Sequence, residues 1–134
     1  MKIKTQKPGI LALLIFFLFS SALSAKKGET EKTRNINETY TVSADHKIEV
    51  HNKFGEVKIN SWDKNEVSVK INISVKDGNE KRAQELLDRI KIDLVKTNNK
   101  LSIKTILDGD NNKLKIKTSG NGHLSIDYEL NVPK

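Results

Sequence analysis

Apolar and polar residues alternate along most of this chain from Tyr40 onwards. The clearest run is EVSVKINISVK, in which every second residue from Val67 to Val75 is Val or Ile and the residues between are polar. Side chains of an extended strand point alternately to its two faces, so this period predicts strands with one buried and one solvated face. Shorter runs of the same kind begin at Ile48, Val57, Ile90, Leu101, Leu114 and Leu124. We therefore expect a mainly β protein.

One segment has a different period. In NEKRAQELLDRI, residues 79–90, apolar residues recur at the spacing of one helical face, at Ala83, Leu86, Leu87 and Ile90. Asn79 is suited to cap this helix, and Glu85 and Arg89 form an i, i+4 pair in the favourable order. A helix of this length is marginal in isolation. We therefore expect it to pack on the sheet.

The connections between the runs are short and rich in Asn, Asp and Gly, which favours neighbouring antiparallel strands. The segment from Val67 through the helix to Leu94 also fits a crossover unit with parallel strands. A meander and a solenoid of stacked strands both produce the same alternation. The predicted fold class is therefore mainly β, antiparallel or solenoid-like, with one α-helix (about 79–90) packed on the sheet.

The stretch NKFGEVKINSWDKNEVSV, residues 52–69, has the form of a repeating unit of one short strand and one tight corner. The first apolar residues of successive runs, Ile48, Val57 and Val67, are 9 and 10 residues apart, and the second apolar residues repeat these intervals. Gly55 lies where a corner enters a strand. We expect it to adopt a positive φ, which glycine does without steric cost.

Two features are weak candidates for a surface binding site. Trp62, in a predicted corner, could stack on a sugar or an apolar partner; the interpretation we favour is that it covers the end of the sheet, since tryptophan buries a large area. Lys113, Lys115 and Lys117 alternate with apolar residues, so their ammonium groups share one face. That strip could hold anionic polysaccharide or lipid headgroups. Alternatively, it discourages pairing at a sheet edge.

The amino terminus predicts export. Three lysines precede an apolar run from Ile10 to Phe19, and small residues follow, as in a secretory signal peptide. We expect residues 1–24 to be the signal peptide, cleaved after Ser24 or after Ala22, with an uncleaved anchor as the alternative. Residues 25–38 are mostly charged or small and predict a flexible lead. Residues 39–134 then form a single β-rich domain, and the mature chain is exported to the periplasm or cell surface.

Net charge, aromatic content and the absence of cysteine limit the classes of partner that this chain fits. The leader carries three lysines and no acid, so the net charge falls from +7 for the whole chain to +4 after cleavage. Few aromatic residues remain after the leader to stack on bases, which argues against nucleic acid. There is no cysteine, hence neither a disulfide nor a lipidated cysteine. Anionic envelope polymers fit this mildly basic, exported chain better.

No motif of a known reaction is present. The sequence contains no nucleophile elbow, phosphate-binding loop or zinc-protease helix. His51 lies five positions after His46, and an odd offset places the two side chains on opposite faces of one extended strand. We therefore expect no catalytic site, metal or cofactor.

The stretch NKFGEVKINSWDKNEVSVKINISV, the helix EKRAQELLDRIKI and the later SIDYELNVPK together resemble the bacterial family named putative adhesin. These are exported β-strand-repeat proteins of unknown function, related to the head-GIN-domain adhesins. The resemblance covers roughly residues 38–134. It implies a stacked-strand body at the cell envelope without established enzymatic activity.

Members of that family continue with further glycine-bearing strand repeats after the segment similar to YELNVPK. The resemblance therefore implies that this chain is an amino-terminal portion or a truncated member of the family. We then expect its last strand to leave an open sheet edge, through which copies of the protein self-associate.

These observations predict a non-catalytic, exported protein of the cell envelope that acts as an adhesin or structural β-repeat module. The first alternative is a periplasmic or surface module that binds an anionic glycan or lipid headgroups. The second alternative is an enzyme without a recognisable motif. The expected partner is an envelope component or glycan.

Overall fold

A computed structural model describes residues 28–109 and 122–134 of the chain. These residues form seven strands and one helix. The elements are β1 (Thr30–Thr41), β2 (Lys47–His51), β3 (Val57–Trp62), β4 (Glu66–Asp77), α1 (Glu80–Arg89), β5 (Ile90–Lys96), β6 (Lys100–Leu107) and β7 (His123–Pro133).

The strands form two mixed sheets. Sheet A has four strands in the order β1-β4-β7-β3, and sheet B has three in the order β2-β6-β5. The β1–β4, β4–β7 and β5–β6 pairs are antiparallel, whereas β2–β6 and β3–β7 are parallel. The prediction of a mainly β fold with one helix is confirmed.

The helix connects the two sheets. β4 belongs to sheet A and β5, which follows the helix, belongs to sheet B. The strand–helix–strand segment is therefore not a crossover unit within one sheet. β2, β3 and β4 follow one another at intervals of 9 and 10 residues, but they are not neighbours in the fold. β2 lies in sheet B, whereas β3 and β4 lie in sheet A and are separated there by β7.

The predicted flexible lead is wrong for most of its length. Residues 30–41 form β1, which pairs with β4 from Thr30↔Asp77 to Thr41↔Glu66. Its apolar side chains are few, but Ile36 and Tyr40 pack against the core. Side-chain burial alone underestimates the order of this segment, because an edge strand is also held by backbone hydrogen bonds along its whole length.

The last strand is not an open edge. β7 pairs with β4 on one side and with β3 on the other. Within residues 28–109 and 122–134, the edges of sheet A are β1 and β3, and those of sheet B are β2 and β5. The expectation of an exposed carboxy-terminal strand is therefore wrong, and self-association would have to use another edge.

The core lies between the inner faces of the two sheets and under the helix. β4 contributes five buried side chains, Val67, Val69, Ile71, Ile73 and Val75. Each stabilises the fold by roughly 1.5–3 kcal/mol relative to exposure to water. A buried hydrogen bond of 2.5 Å joins the hydroxyl of Tyr128 in sheet A to that of Thr105 in sheet B. It connects the two layers inside the core.

The helix follows its predicted pattern. Ala83, Leu86, Leu87 and Ile90 are all buried, and the helix packs on β1 and β4. Asn79 caps it, accepting a hydrogen bond from the backbone N–H of Arg82 at 3.1 Å. No helix among the described residues is long and apolar enough to span a membrane.

The charged side chains of the helix do not form the predicted pair of Glu85 with Arg89. Glu85 lies 3.9 Å from Lys81, and the Nε of Arg89 donates to the backbone oxygen of Asp108 at 2.8 Å. At the carboxy-terminal end, the guanidinium of Arg34 in β1 donates to the backbone oxygen of Ile90. A cation there interacts favourably with the helix dipole, so Arg34 attaches the first strand to the helix.

Candidate functional site

The outer face of sheet A carries a shallow polar groove that spans all four strands. Its volume is about 610 Å³. The polar residues that line it, which we call the amide groove, are Asn35, Asn37, Glu56, Lys58, Lys70, Asn72, Asp127 and Glu129. They are the polar members of the alternating runs, so the pattern that buries the inner face of each strand also presents them to solvent.

Strand register places these side chains in two rows across the sheet. Lys58, Glu129, Lys70 and Asn37 are successive partners on β3, β7, β4 and β1. Neighbouring strands lie about 4.8 Å apart, so each row presents polar groups at that interval.

A second row runs beside the first. It contains Asp127, Asn72 and Asn35 on β7, β4 and β1. Residues two apart on a strand share one face, so the two rows form a grid on the same side of the sheet.

Most of the grid is free to bind a ligand. The side chains of Asn35, Asn37, Asn72, Lys58 and Lys70 are exposed and have no hydrogen bond or ion pair to any part of the chain that the structure describes. Each amide offers a carbonyl acceptor and two N–H donors. The groove therefore presents unpaired donors and acceptors together.

Asp127 is the exception, because it has a structural role. Its Oδ1 accepts hydrogen bonds from the backbone N–H of Glu56 and from the hydroxyl of Ser125, both at 2.9 Å. These bonds hold the corner before β3 against β7. The carboxylate thus forms one wall of the groove and keeps its place.

The corner at residues 52–56 explains why the opening of the repeat-like stretch has its sequence. The side-chain amide of Asn52 donates to the backbone oxygen of Ile126 at 2.8 Å, and the oxygen of Phe54 accepts from the N–H of Ile126. Gly55 has a φ of 115°, which confirms the predicted positive value. A Cβ at Gly55 would lie 2.5 Å from Ile126 O, so the close approach also requires glycine.

Trp62 is the last residue of β3 and is half-buried. Its indole N–H donates to the backbone oxygen of Glu66 at 2.8 Å, and the Nζ of Lys64 lies 4.7 Å from the ring centre. The ring therefore bridges the turn between β3 and β4 and carries a cation on one face. Trp62 lies two positions after Asn60 and four after Lys58, so it shares the outer face of β3 with them. The covering role and stacking on a ligand both stay predictions.

The other predicted surface site, Lys113, Lys115 and Lys117, lies outside the described residues. The described part of the chain has no group of three or more His, Cys, Asp or Glu residues that could hold a metal ion. His46 precedes β2 and hydrogen-bonds with Ser43, whereas His51 ends that strand.

The outer face of sheet B has a different electrostatic character. Glu49 accepts from Lys100 at 2.9 Å and pairs with Lys47 at 2.8 Å. Hydrogen bonds from these two lysines lower the pKa of Glu49 to about 2. Glu49 and its two lysines therefore pair with one another, unlike the free lysines and amides of the groove.

The sequence alone does not predict the amide groove. A signal was present, because Asn35 and Asn37 flank Ile36, and Lys70 and Asn72 flank Ile71 in a clear alternation. The strand period shows that such residues face water. It does not show that four strands distant in the sequence lie side by side.

No family model and no curated protein match this sequence. Among solved structures, a protein described as a putative adhesin from Parabacteroides distasonis is similar, with 13% sequence identity and a TM-score of 0.33. The match covers 74% of this chain and 32% of that protein, so this chain spans about a third of its length. A TM-score this low carries no argument about function.

Proposed function

We propose that this protein is an exported, non-catalytic module of the cell envelope that binds a glycan through the amide groove. The observation that carries the proposal is the set of unpaired amides and lysines on the outer face of sheet A. Its role would be adhesive or structural, because the groove is an open surface rather than an enclosed cavity.

The chemistry of the groove suits a hydroxyl-bearing polymer. Sugar hydroxyls both donate and accept hydrogen bonds, and so do the side chains of Asn35, Asn37 and Asn72. The lining has two lysines and three carboxylates, Glu56, Asp127 and Glu129. Because these charges nearly balance, we expect a neutral or zwitterionic glycan with hydroxyl and amide groups rather than a strongly anionic one.

Four carboxyl groups outside the amide groove are unsuited to general-acid catalysis. A general acid at neutral pH needs a raised pKa. Hydrogen bonds lower the pKa of four carboxyl groups: that of Asp45 chiefly by a bond from Ser43, and those of Glu49, Glu80 and Asp108 by bonds from lysines. These four groups therefore stay charged at neutral pH and are not suited to donate a proton there.

The layout of residues 1–24 supports export, and an exported chain meets envelope glycans directly. On this proposal the mature protein resides in the periplasm or on the cell surface. Insoluble peptidoglycan is therefore the first polymer to test, because its sugars carry both hydroxyl and N-acetyl groups.

Co-sedimentation of the exported protein with peptidoglycan tests the proposal. The variant N35A/N37A/N72A should lose binding, since it removes the free amides and leaves the backbone of sheet A unchanged. The control variant S102A/K104A changes the outer face of sheet B and should bind like the wild type. Circular dichroism verifies that both variants are folded. Equal retention of the triple variant and the wild type would overturn the proposal.

The salt dependence of retention distinguishes this proposal from the first alternative, a module that binds an anionic glycan or lipid headgroups. Hydrogen bonding in the amide groove predicts retention that changes little with ionic strength. Binding of an anionic glycan or lipid headgroups by Lys113, Lys115 and Lys117 predicts retention that falls steeply as salt screens the charges. The triple alanine variant of these lysines would then lose binding instead.

A further inference from the structure

β3 is an edge strand whose free side has unused backbone groups. The backbone oxygens of Glu56 and Trp62 accept from the N–H groups of Tyr128 at 2.8 Å and Lys134 at 3.1 Å. In a strand, the N–H and C=O groups of one residue point to the same side and those of the next residue point to the other side. Val57, Ile59 and Ser61 therefore direct their backbone groups away from β7. No strand of the described chain pairs with that side.

The side chains on the inner face of β3 are also uncovered. Val57 is 42% exposed and Ile59 is 57% exposed, although their partners on β7, Tyr128 and Leu130, are 2% and 0% exposed. The apolar rows on the inner face of sheet A thus continue from β4 through β7 to β3. The packing that buries these rows on β4 and β7 does not extend over β3. An edge with both features favours addition of another strand.

We propose that two copies of this protein pair β3 with β3 in antiparallel orientation around a two-fold axis at Ile59. In this register Ile59 opposes Ile59 of the second copy, and Val57 opposes Ser61. All three residues with outward backbone groups then form hydrogen-bonded pairs. Sheet A continues across the axis from one copy to the other.

Charge and hydrogen bonding select this register. Lys58, the charged residue of β3, opposes the Asn60 amide of the second copy. A shift of the pairing centre to Lys58 would place two ammonium groups opposite each other, which is destabilising, and would leave Ser61 unpaired. A shift to Asn60 would leave Val57 without a partner on the strand. The occupant that the edge fits best is therefore a second copy, since the match is self-complementary as a two-fold interface requires.

Pairing around this axis keeps the outer faces of both sheets on the same side. The two amide grooves would then face one polymer together, and the second binding event would become intramolecular. This consequence rests on the proposed function, whereas the dimer itself does not.

Single-cysteine cross-linking tests the register, because the chain has no cysteine of its own. The Cα atoms of a hydrogen-bonded antiparallel pair lie about 5.5 Å apart, within the roughly 4.4–6.8 Å that a disulfide spans. The variant I59C should therefore form covalent dimers under mild oxidation. The control K58C should not, because diagonal neighbours lie about 7–8 Å apart. Equal cross-linking of the two variants would overturn the register.

Sedimentation velocity tests the dimer without a disulfide. The wild type should show a monomer–dimer equilibrium, and I59K should weaken association by more than about tenfold, because two ammonium groups would meet at the axis. Ile59 is exposed, so I59K should remain folded, which circular dichroism verifies. A monomer at all concentrations, or a series of larger oligomers from head-to-tail contacts, would overturn the proposal. Dimerisation without peptidoglycan binding would contradict only the proposed function.

Discussion

Replacement of Gly55 by alanine should be among the most damaging single changes outside the core. Gly55 has a φ of 115°, where an L-residue is strained by about 1–3 kcal/mol. The added Cβ would lie 2.5 Å from both the backbone oxygen of Ile126 and the Oδ1 of Asp127. The first of these atoms belongs to β7 and cannot rotate away, so the corner and the strand must separate.

Separation would break hydrogen bonds that hold the corner. The backbone oxygen of Ile126 accepts from Asn52, and the Oδ1 of Asp127 accepts from the N–H of Glu56. Each bond contributes about 0.5–1.5 kcal/mol net. Together with the backbone strain, we expect G55A to lower the free energy of unfolding by about 2–6 kcal/mol, a large part of the roughly 5–15 kcal/mol typical of a domain.

Urea denaturation followed by circular dichroism measures this loss. Each kcal/mol lowers the melting temperature of a domain of this size by roughly 4–8 °C, so thermal melts should report the same change. The control K53A alters an exposed side chain in the same corner and should stay within about 0.5 kcal/mol of the wild type. A G55A protein as stable as K53A would refute the reasoning about this corner.

Two further predictions concern the core and the outer face of sheet B. Y128F should destabilise the protein by about 1–2 kcal/mol in urea denaturation, because the buried hydroxyl of Thr105 loses its short hydrogen bond to Tyr128 and keeps only the longer one of 3.4 Å to Asn52. The double variant Y128F/T105V should recover part of the loss, and a further loss would contradict this explanation. The pKa of Glu49 is lowered to about 2 from its ordinary 4.5, so its ion pairs stabilise the fold above pH 4.5 and lose this effect as the pH falls through 2. Urea midpoints measured across this range should fall less for E49Q than for the wild type, and parallel curves would refute the assignment.

The local structure of the chain could be predicted well from its sequence. The helix face at Ala83, Leu86, Leu87 and Ile90 and the buried face of β4 both follow from periodicity, which depends on residues close in the sequence. Gly55 could also be predicted, because a positive φ is a local property of a corner. In each case neighbouring residues contain the information.

Strand pairing could not be predicted in the same way. β3 pairs in parallel with β7, a strand more than sixty residues later, and β1 pairs with β4 across β2 and β3. A period of two tells which side of a strand is buried but not which strand lies beside it. The amide groove depends on this pairing, since Asn35 and Asn72 become neighbours only through the register of β1 with β4.

Residues 25–38, which include most of β1, are predicted to be flexible because they contain few large apolar residues. The order of β1 depends on contacts that are distant in the sequence, including the ion pair of 2.6 Å between Lys32 and Glu80 and the hydrogen bond from Arg34 to Ile90. Edge strands bury only part of their surface, so composition underestimates their order.

Nuclear magnetic resonance of the side-chain amides would test most directly whether the outer face of sheet A is the binding surface. The protein would be titrated with a neutral N-acetylglucosamine tetrasaccharide while the Asn side-chain signals are followed. We predict that the signals of Asn35, Asn37 and Asn72 shift together and saturate, whereas that of Asn65, exposed in the turn before β4, stays unchanged. Unchanged groove signals, or shifts confined to residues elsewhere, would contradict the proposed binding surface.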